Sequence, residues 1–386
     1  MEMTEPDKRK KDKKQGIIAG IAIMAFSVLF SFDQLTVRAA TDFHIVMVGD
    51  ILLHDGIEKC AKQEDGTYDF SELFRHTKDV IEKADLAIVN EEIIIGGEEL
   101  RVTGYPSFNA PYEIADDLAG AGFDIALHAT NHALDRGAEG IKNCLEYWSD
   151  NHPEVEPVGI HESAADRDEI CIYEKNGYRI AVLNYTYGTN GIPLPKNMPY
   201  AVDLLDESKV RSDIRKAEES ADLTIVCPHW GTEYNHGISQ MQKKWTKVFA
   251  DSGADLIIGT HPHVVEPVEE YETEDGRIVP VYYSLGNFIN WTSGEGKGIS
   301  DRMLGAMADV TISRDAKGRA VIKDYGVRPL VAHVESKING STVYFLDDYT
   351  QAKSFLNEIR KRDAAFSYRY LDDLANSIFE KDLWRR

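Results

Sequence analysis

The chain has 386 residues, of which 43 are basic and 65 are acidic, so its formal net charge is −22. A hydrophobic content of 43% and an aromatic content of 10% are typical of a globular protein and exclude a disordered one. Such an excess of acidic side chains repels a phosphate backbone, and nucleic acid is therefore excluded as an expected partner.

The first forty residues differ in composition from the rest. Residues 8–14 are basic except for one aspartate, and residues 16–32 form an uncharged apolar run. That length suits a bilayer-spanning helix, which needs roughly 17 to 25 residues, and the preceding basic residues predict a cytoplasmic amino terminus. We expect a cytoplasmic tail over 1–15 and a transmembrane signal anchor over 16–32. The protein would then be a single-pass protein of the cell membrane with an extracytoplasmic main domain.

An alternative follows from Val37-Arg-Ala39, which is similar to a signal-peptidase site. Cleavage near Ala39 would release the main domain as a secreted protein. Residues 1–40 hold seven of the basic and five of the acidic side chains, which leaves 36 basic and 60 acidic residues in the remainder. The main domain therefore carries a net charge of −24 on either interpretation.

Residues 33–42 are predicted to be a linker, and the chain from 43 to 335 is predicted to be one α/β domain. Strand-like and helix-like segments alternate between 43 and 260, which is typical of a sheet with helices on its faces. Turn signals at Asn176-Gly177, Asp275-Gly276 and Lys317-Gly318 indicate antiparallel hairpins. The predicted fold is an α/β sandwich with mixed sheets, and residues 336–386 form a strand and helix extension.

Potential ligand side chains follow five apolar, strand-like segments. They are carboxylates, amides and imidazoles, at Asp50; at Asn90, Glu91 and Glu92; at Asn131 and His132; at His229; and at His261 and His263. Because the carboxyl ends of neighbouring strands meet at one edge of a sheet, we expect these groups to lie close together. His128 lies inside an apolar strand and is expected to be a hydrogen-bonded core residue instead.

The types of ligand narrow the choice of metal. Imidazoles mixed with carboxylates and an amide suit manganese, zinc or iron better than calcium or magnesium. There are more candidate ligands than one tetrahedral ion needs, which indicates two divalent ions bridged by a carboxylate. Two ions about 3.5 to 4 Å apart polarise a substrate and activate water, which favours hydrolysis of phosphate esters and, in some enzymes, amides.

Six motifs occur in order along the chain: Gly49-Asp50, Asn90-Glu-Glu92, Asn131-His132-Ala-Leu-Asp135, His229-Trp-Gly-Thr-Glu233-Tyr234, Gly259-Thr-His261-Pro-His263 and Ser284-Leu-Gly-Asn287-Phe288. In the same order they resemble those of the CapA family of capsule-synthesis proteins, which belongs to the calcineurin-like metallophosphoesterase superfamily. The resemblance spans roughly residues 43–290, and Tyr187-Gly-Thr-Asn190 also resembles a loop of the family. Members are associated with poly-γ-glutamate capsules, so the resemblance implies this polymer and other capsule-synthase subunits as partners.

The resemblance also implies roles for individual residues. Glu92 would bridge the two ions, and His132 would protonate the leaving group or support the transition state, with Asp135 holding its loop. The superfamily's usual Asp-x-His pattern is absent, because the nearest histidine is His54, four residues after Asp50. Glu91 could replace Glu92 as the bridge. The implied metal ligands are Asp50, Glu92, Asn131, His229, His261 and His263.

Other polar and aromatic residues near these motifs are candidates for supporting roles. Metal binding or contact with a ligand is possible for His54, Asn90, Glu91, Glu233 and Asn287. Substrate binding is expected at Tyr187, Asn190, Trp230 and Tyr234, and packing beneath the loop is the alternative for Trp230 and Tyr234.

The combined reading is a membrane-anchored, extracytoplasmic, metal-dependent hydrolase that acts in assembly or release of a capsule polymer. One alternative is a non-catalytic metal-binding subunit of a polyglutamate synthase and export complex. Another is a γ-glutamyl amide hydrolase or transferase that uses the same ions.

Overall fold

Residues 42–385 are described by a computed structural model of the chain, and they contain strands and helices in alternation. The predicted cytoplasmic tail and signal anchor, together with most of the predicted linker, lie outside the described residues. Within residues 42–385, no helix has the length and apolar character that crossing a bilayer requires.

The strands of the described residues form two mixed sheets. They are β1 (Phe43–Ile51), β2 (Leu86–Glu91), β3 (Ile125–Leu127), β4 (Glu156–Val158), β5 (Cys171–Lys175), β6 (Tyr178–Thr186), β7 (Leu223–His229), β8 (Leu256–Ile258), β9 (Val268–Glu272), β10 (Ile278–Tyr282), β11 (Asn287–Ile289), β12 (Leu304–Arg314), β13 (Ala320–His333) and β14 (Thr342–Phe345).

The α-helices connect these strands or cover their faces. They are α1 (Asp55–Ala61), α2 (Lys78–Ile81), α3 (Glu113–Ala121), α4 (Gly137–Asn151), α5 (Ala164–Arg167), α6 (Glu207–Ser220), α7 (Gln240–Ser252), α8 (Gln351–Ser354) and α9 (Tyr368–Ile378). The helix α7 begins at a capping box, in which the Ser239 side chain accepts from the Gln242 backbone and the Gln242 side chain accepts from the Ser239 backbone.

The first sheet has the order β14-β13-β12-β1-β2-β3-β4, and β11 pairs with the carboxyl end of β1. Strands β1 to β4 are parallel, whereas β12, β13 and β14 are antiparallel to their neighbours. The second sheet has the order β5-β6-β7-β8-β10-β9, with a parallel centre and an antiparallel strand at each edge. The prediction of mixed sheets is confirmed, and so are the three hairpins.

The main hydrophobic core lies between the two sheets. Met47 of β1 and Cys227 of β7 meet there, with their sulfur atoms 3.8 Å apart, and the rings of Phe43 and Tyr178 pack at 5.2 Å. The other face of the second sheet packs on α6 and α7, where Val226 lies in one cluster with Phe249. Strands buried on both faces explain why their sequences are continuously apolar.

The described part of the predicted extension, residues 336–385, packs on the first sheet. Strand β14 pairs with β13, with Phe345 opposite Leu330, and Leu371 and Phe379 of the last part of the chain are buried in the main core. The predicted boundary at 335 therefore falls between two paired strands, in the connection from β13 to β14.

Candidate metal centre

The candidate ligands lie where carboxyl ends of strands from both sheets face each other. The first sheet supplies Asp50 from β1 and Glu92 just after β2, and the second supplies His229 from β7 and His261 after β8. A bridge between His229 and Thr260 continues the pairing of β7 and β8 into this region. The expectation that one sheet edge assembles the site is wrong, because the site lies across the opening between two sheets.

Two groups of side chains within the described residues have the spacing of a metal site. One consists of Asp50, Glu92 and His229, and the other of Glu92, His261 and His263. Within each group the potential ligand atoms lie within 4.8 Å of one another. Because Glu92 belongs to both groups, its carboxylate lies where a bridge between two ions would be.

Glu92 is fully buried, and among residues 42–385 neither of its carboxylate oxygens has a hydrogen-bond partner. Its Oε1 lies 3.5 Å from Nε2 of both His229 and His263. Burial alone raises the pKa of Glu92, but the two facing imidazoles outweigh it and hold the pKa below its usual range. A buried carboxylate without hydrogen bonds is costly unless a cation compensates its charge, so these residues fit a metal ion.

Asp50 is held by contacts from both sheets. The Asn90 side chain donates to Asp50 Oδ1 at 2.9 Å, and the backbone N–H of His261 lies 3.3 Å from each carboxylate oxygen. Burial, followed by repulsion from Glu92, raises the pKa of Asp50. Two buried carboxylates this close together favour a bound cation.

The amide of Asn131 links the first sheet to His229 of the second. Asn131 Oδ1 lies 2.8 Å from His229 Nε2, and the hydroxyl of Thr260 lies 3.0 Å from His229 Nδ1. The Asn131 side chain also donates to Asn190 Oδ1 at 3.2 Å. The ring of His229 is thus oriented on both sides, as the rings of metal-binding histidines usually are.

The two histidines after β8 occupy an uncommon backbone conformation, with φ of 100° at His261 and 58° at His263. His263 Nδ1 lies 3.1 Å from both Asp50 Oδ2 and Asn287 Oδ1. Burial opposes protonation of His263, but Glu92 and Asp50 raise its pKa to about 9. Burial lowers the pKa of His261, and His261 Nδ1 has no hydrogen-bond partner, so it is available to a metal ion.

His132 is oriented by the loop that follows β3. Its Nδ1 lies 2.7 Å from Asp135 Oδ2, which also accepts from the Phe108 backbone at 2.7 Å. The Phe108 ring packs edge-on against the imidazole, with centroids 4.8 Å apart. The carboxylate assigns the ring proton to Nδ1, which leaves Nε2 as the nitrogen available to the adjacent cleft.

Glu91 and His54 lie outside both ligand groups. Glu91 is the last residue of β2 and Glu92 follows it, so alternation along the strand directs the two carboxylates to opposite faces. Burial raises the pKa of Glu91 well above its usual range. Burial and, to a smaller extent, the proximity of Glu91 raise the pKa of Cys144 in α4. His54 is half-buried in the wall of the cleft, and burial lowers its pKa to about 4.

A cleft of about 450 Å³ opens from these residues to the surface. Among the residues expected to bind substrate or metal, Asn190, Glu233, Tyr234 and Asn287 line it, and the exposed ring of Tyr187 packs against His261 at 4.6 Å. The expectation that Trp230 binds substrate is wrong, because Trp230 is fully buried and packs in the core behind the loop. Its indole N–H donates to the Tyr283 carbonyl at 2.9 Å.

Several residues at the site were not identified from the sequence. Arg302 lines the cleft and stacks on Tyr234, with the guanidinium carbon 3.6 Å from the ring centroid. Phe108 and Thr260 orient His132 and His229 as described above. Thr260 lies within the motif of residues 259–263 and could have been found there, whereas no local pattern distinguishes Arg302 from other surface arginines. His128 is a core residue as predicted, since it accepts from Trp148 Nε1 at 3.1 Å.

The fold and the site together define a mixed α/β protein with a candidate metal centre between two sheets. Comparison with known families identifies the chain further, because the model of the bacterial capsule synthesis protein family PGA_cap matches residues 44–292. That match covers more than half of the chain, and the chain belongs to this family. The resemblance noted in the sequence motifs is thereby confirmed.

Two capsule-related proteins share less than 30% sequence identity with this chain. The chain is 28% identical over 315 residues to the PGA biosynthesis protein CapA of Bacillus subtilis strain 168, covering 76% of this chain and 77% of that protein. It is 29% identical over 260 residues to the capsule biosynthesis protein CapA of Bacillus anthracis, covering 64% of this chain and 60% of that protein. Among solved structures, NAD nucleotidase of Haemophilus influenzae gives a TM-score of 0.45 at 12% identity, covering 88% of this chain and 57% of that one.

Proposed function

We propose that this protein is a metal-dependent hydrolase of the calcineurin-like metallophosphoesterase type that acts in capsule biosynthesis. The observation that carries the proposal is the position of Glu92, whose buried carboxylate faces imidazoles from two ligand groups and has no hydrogen-bond partner. The same carboxylate belongs to both groups of potential ligand atoms, which is the position of a ligand that bridges two ions.

The proposed centre holds two divalent ions of manganese, zinc or iron. Asp50, Glu92 and His229 would hold one ion, and Glu92, His261 and His263 the other. Asn131 lies against His229 and would complete the ligand set on that side. When bound, such ions polarise the substrate and make water a better nucleophile.

The chain's own residues supply the remaining requirements of hydrolysis. His132 lines the cleft and is oriented by Asp135, so its Nε2 can carry a proton to the leaving group. The Phe108 ring packs edge-on against the imidazole and helps to fix its orientation. Asn190, which contacts both Asn131 and His132, would orient the substrate between metal and acid.

The proposed location is the outer face of the cell membrane, with capsule polymer and other capsule-synthase subunits as partners. The basic residues 8–14 and the apolar run 16–32 support an anchored amino terminus. Membership of the capsule synthesis family supports a role with poly-γ-glutamate, as do the names of the Bacillus relatives.

The proposal is tested on the purified full chain by measuring metal content together with turnover of phosphate esters and γ-glutamyl amides. We expect metal-dependent turnover in the wild type and loss of both turnover and bound metal in Glu92→Gln. Glu91→Gln is the matched control, since it changes the adjacent buried carboxyl and should retain the metal. Full metal loading without turnover of either substrate class would contradict a hydrolase and favour a metal-binding subunit.

A further inference from the structure

A second cavity continues the metal cleft away from the candidate ligands. It has a volume of about 280 Å³ and shares His54, Tyr105 and Ser293 with the cleft. Its far side is lined by Lys59 and Arg362. The two cavities together form a continuous groove, which we call the Arg302–Arg362 groove after the arginine in each part.

The two arginines are held in place without a carboxylate partner. Arg302 stacks on Tyr234 and donates to Thr292 Oγ1 at 3.2 Å, and its buried Nε has no hydrogen-bond partner in the part of the chain that the structure describes. Arg362 donates to the Ser293 carbonyl at 2.6 Å. Within the described residues, no carboxylate lies within 4.0 Å of either guanidinium group, although the chain as a whole has 65 acidic residues.

Arg302 and Arg362 are both half-buried, so a charged ligand beside them would be screened less by solvent than at a fully exposed site. A half-buried guanidinium stacked on an aromatic ring keeps its donors in a fixed plane, which is suited to a carboxylate or phosphate. Two carboxylates also line the groove, Asp55 beside Lys59 and Glu233 beside Tyr234, and neither pairs with an arginine there. Arg302 in the cleft, and Arg362 with Lys59 in the second cavity, are the two separate points at which an anionic group could be bound.

We propose that the Arg302–Arg362 groove binds an elongated ligand with at least two anionic groups, one at Arg302 next to the metal centre and one at Arg362 and Lys59. The ligand would extend from the cleft toward the His54 side, where the second cavity adjoins it. This inference rests on the proposed function and adds to it the residues that select a polyanionic substrate and the direction in which the substrate lies.

The proposal is tested by calorimetric titration of the manganese-loaded full chain with free glutamate, a short γ-linked glutamate oligomer and inorganic polyphosphate. We expect Arg362→Gln to weaken binding of the oligomeric anion about tenfold, as loss of a charge-assisted hydrogen bond does, with no change for free glutamate. Arg302→Gln should weaken the binding of both the oligomeric anion and free glutamate. The oligomer that binds in this manner identifies the anionic group as carboxylate or phosphate.

Matched controls exist for both arginines. Arg360 lies two residues before Arg362 and stacks on Phe355, and Arg328 stacks on Phe345, but neither lines the groove. Arg360→Gln and Arg328→Gln remove the same charge and should leave binding unchanged. Lys59 is exposed, so Lys59→Gln keeps the test valid if an arginine variant fails to fold, and it should weaken oligomer binding by about threefold.

Two results would overturn the inference. One is equal binding of both oligomers by wild type, Arg362→Gln and Lys59→Gln, and the other is an equal loss in Arg362→Gln and Arg360→Gln. Turnover is measured in the same samples to separate this inference from the proposed function. Arg362-dependent binding without any turnover would contradict the hydrolase and retain the groove, whereas turnover with Arg362-independent binding would do the reverse.

Discussion

The Nδ1 atom of His263 lies 3.1 Å from Oδ2 of Asp50, although the two residues are 213 positions apart in the chain. Asp50 lies near the carboxyl end of the central strand β1 of the first sheet, and His263 belongs to the loop after β8 of the second. Their contact therefore makes the candidate metal centre dependent on how the two sheets pack. Substitutions that disturb this packing should affect metal binding even when they touch no ligand.

The pair of His132 and Asp135 gives the first prediction. Substituting His132 by Asn removes the proposed proton donor, so turnover should fall about 100- to 10,000-fold while the metal content stays unchanged. Asp135→Asn should cost about 10- to 100-fold, because the imidazole loses the carboxylate that orients it. Steady-state kinetics and metal analysis of the same samples provide the measurement.

The control for this pair is His152, which also lies 2.7 Å from a carboxylate, that of Asp116, but does not line the cleft. His152→Gln should leave turnover unchanged. Unchanged turnover in His132→Asn would exclude His132 as the proton donor.

Gly259 provides a test of the link between packing and metal binding. A Cβ at this position would overlap both the Trp230 indole nitrogen and the Tyr283 carbonyl, so the backbone before His261 would have to move. We expect Gly259→Ala to lower the free energy of unfolding by about 1–3 kcal/mol and to weaken metal binding. Chemical denaturation and metal titration measure the two effects.

Gly120 offers the matched substitution, since it lies in α3 and a Cβ there would meet no atom within 4 Å. Gly120→Ala should stabilise the protein by up to about 1 kcal/mol and leave metal binding unchanged. If Gly259→Ala bound metal as tightly as the wild type, the loop at residues 259–263 would not depend on this packing.

The burial of Glu266 predicts that the stability of the folded protein depends on pH. It is fully buried, its only side-chain partner is Gln242 among the described residues, and burial raises its pKa to about 8. The folded state thus keeps this proton at pH values where the unfolded chain, with a pKa of 4.5, has lost it. Stability from this group is complete below the unfolded pKa and is lost as the pH rises from about 4.5 to 8, by roughly 5 kcal/mol in total.

Replacing Glu266 by Gln removes the titrating group and should flatten this part of the stability curve. Denaturant unfolding at several pH values makes the comparison, with the exposed Glu269→Gln as the control. A curve for Glu266→Gln that fell as steeply as that of the wild type would assign the pH dependence to other groups.

Arg167 is predicted to be a stability determinant outside the site. It is buried and pairs with Asp203 and with Asp213 of α6, the latter at 2.8 Å. Arg167→Met leaves two buried carboxylates without their shared cation, so the free energy of unfolding should fall by about 3–5 kcal/mol. Arg211→Met removes a more exposed arginine that pairs with Glu207 and should cost less than about 1 kcal/mol. Equal losses of unfolding free energy in the two variants would show that burial of the Arg167 network adds nothing to the stability of the protein.

Local sequence patterns predict many of the strands and turns of this protein. Apolar runs and turn residues predict the strands and the hairpins at 176–177, 275–276 and 317–318, because strand periodicity and turn chemistry depend on near neighbours. The potential ligands at Asp50, Glu92, Asn131, His229, His261 and His263 were also identified, since each follows a recognisable strand.

The arrangement of those ligands depends on contacts between distant segments. No local pattern shows that two sheets contribute to the centre, that Glu92 and not the adjacent Glu91 faces the imidazoles, or that Trp230 is buried. The position of Arg302 in the cleft can be recognised only from the tertiary structure, which places its guanidinium group on the Tyr234 ring. The physical reason is that side-chain alternation is local, whereas the packing of one sheet on the other is set by the core between them.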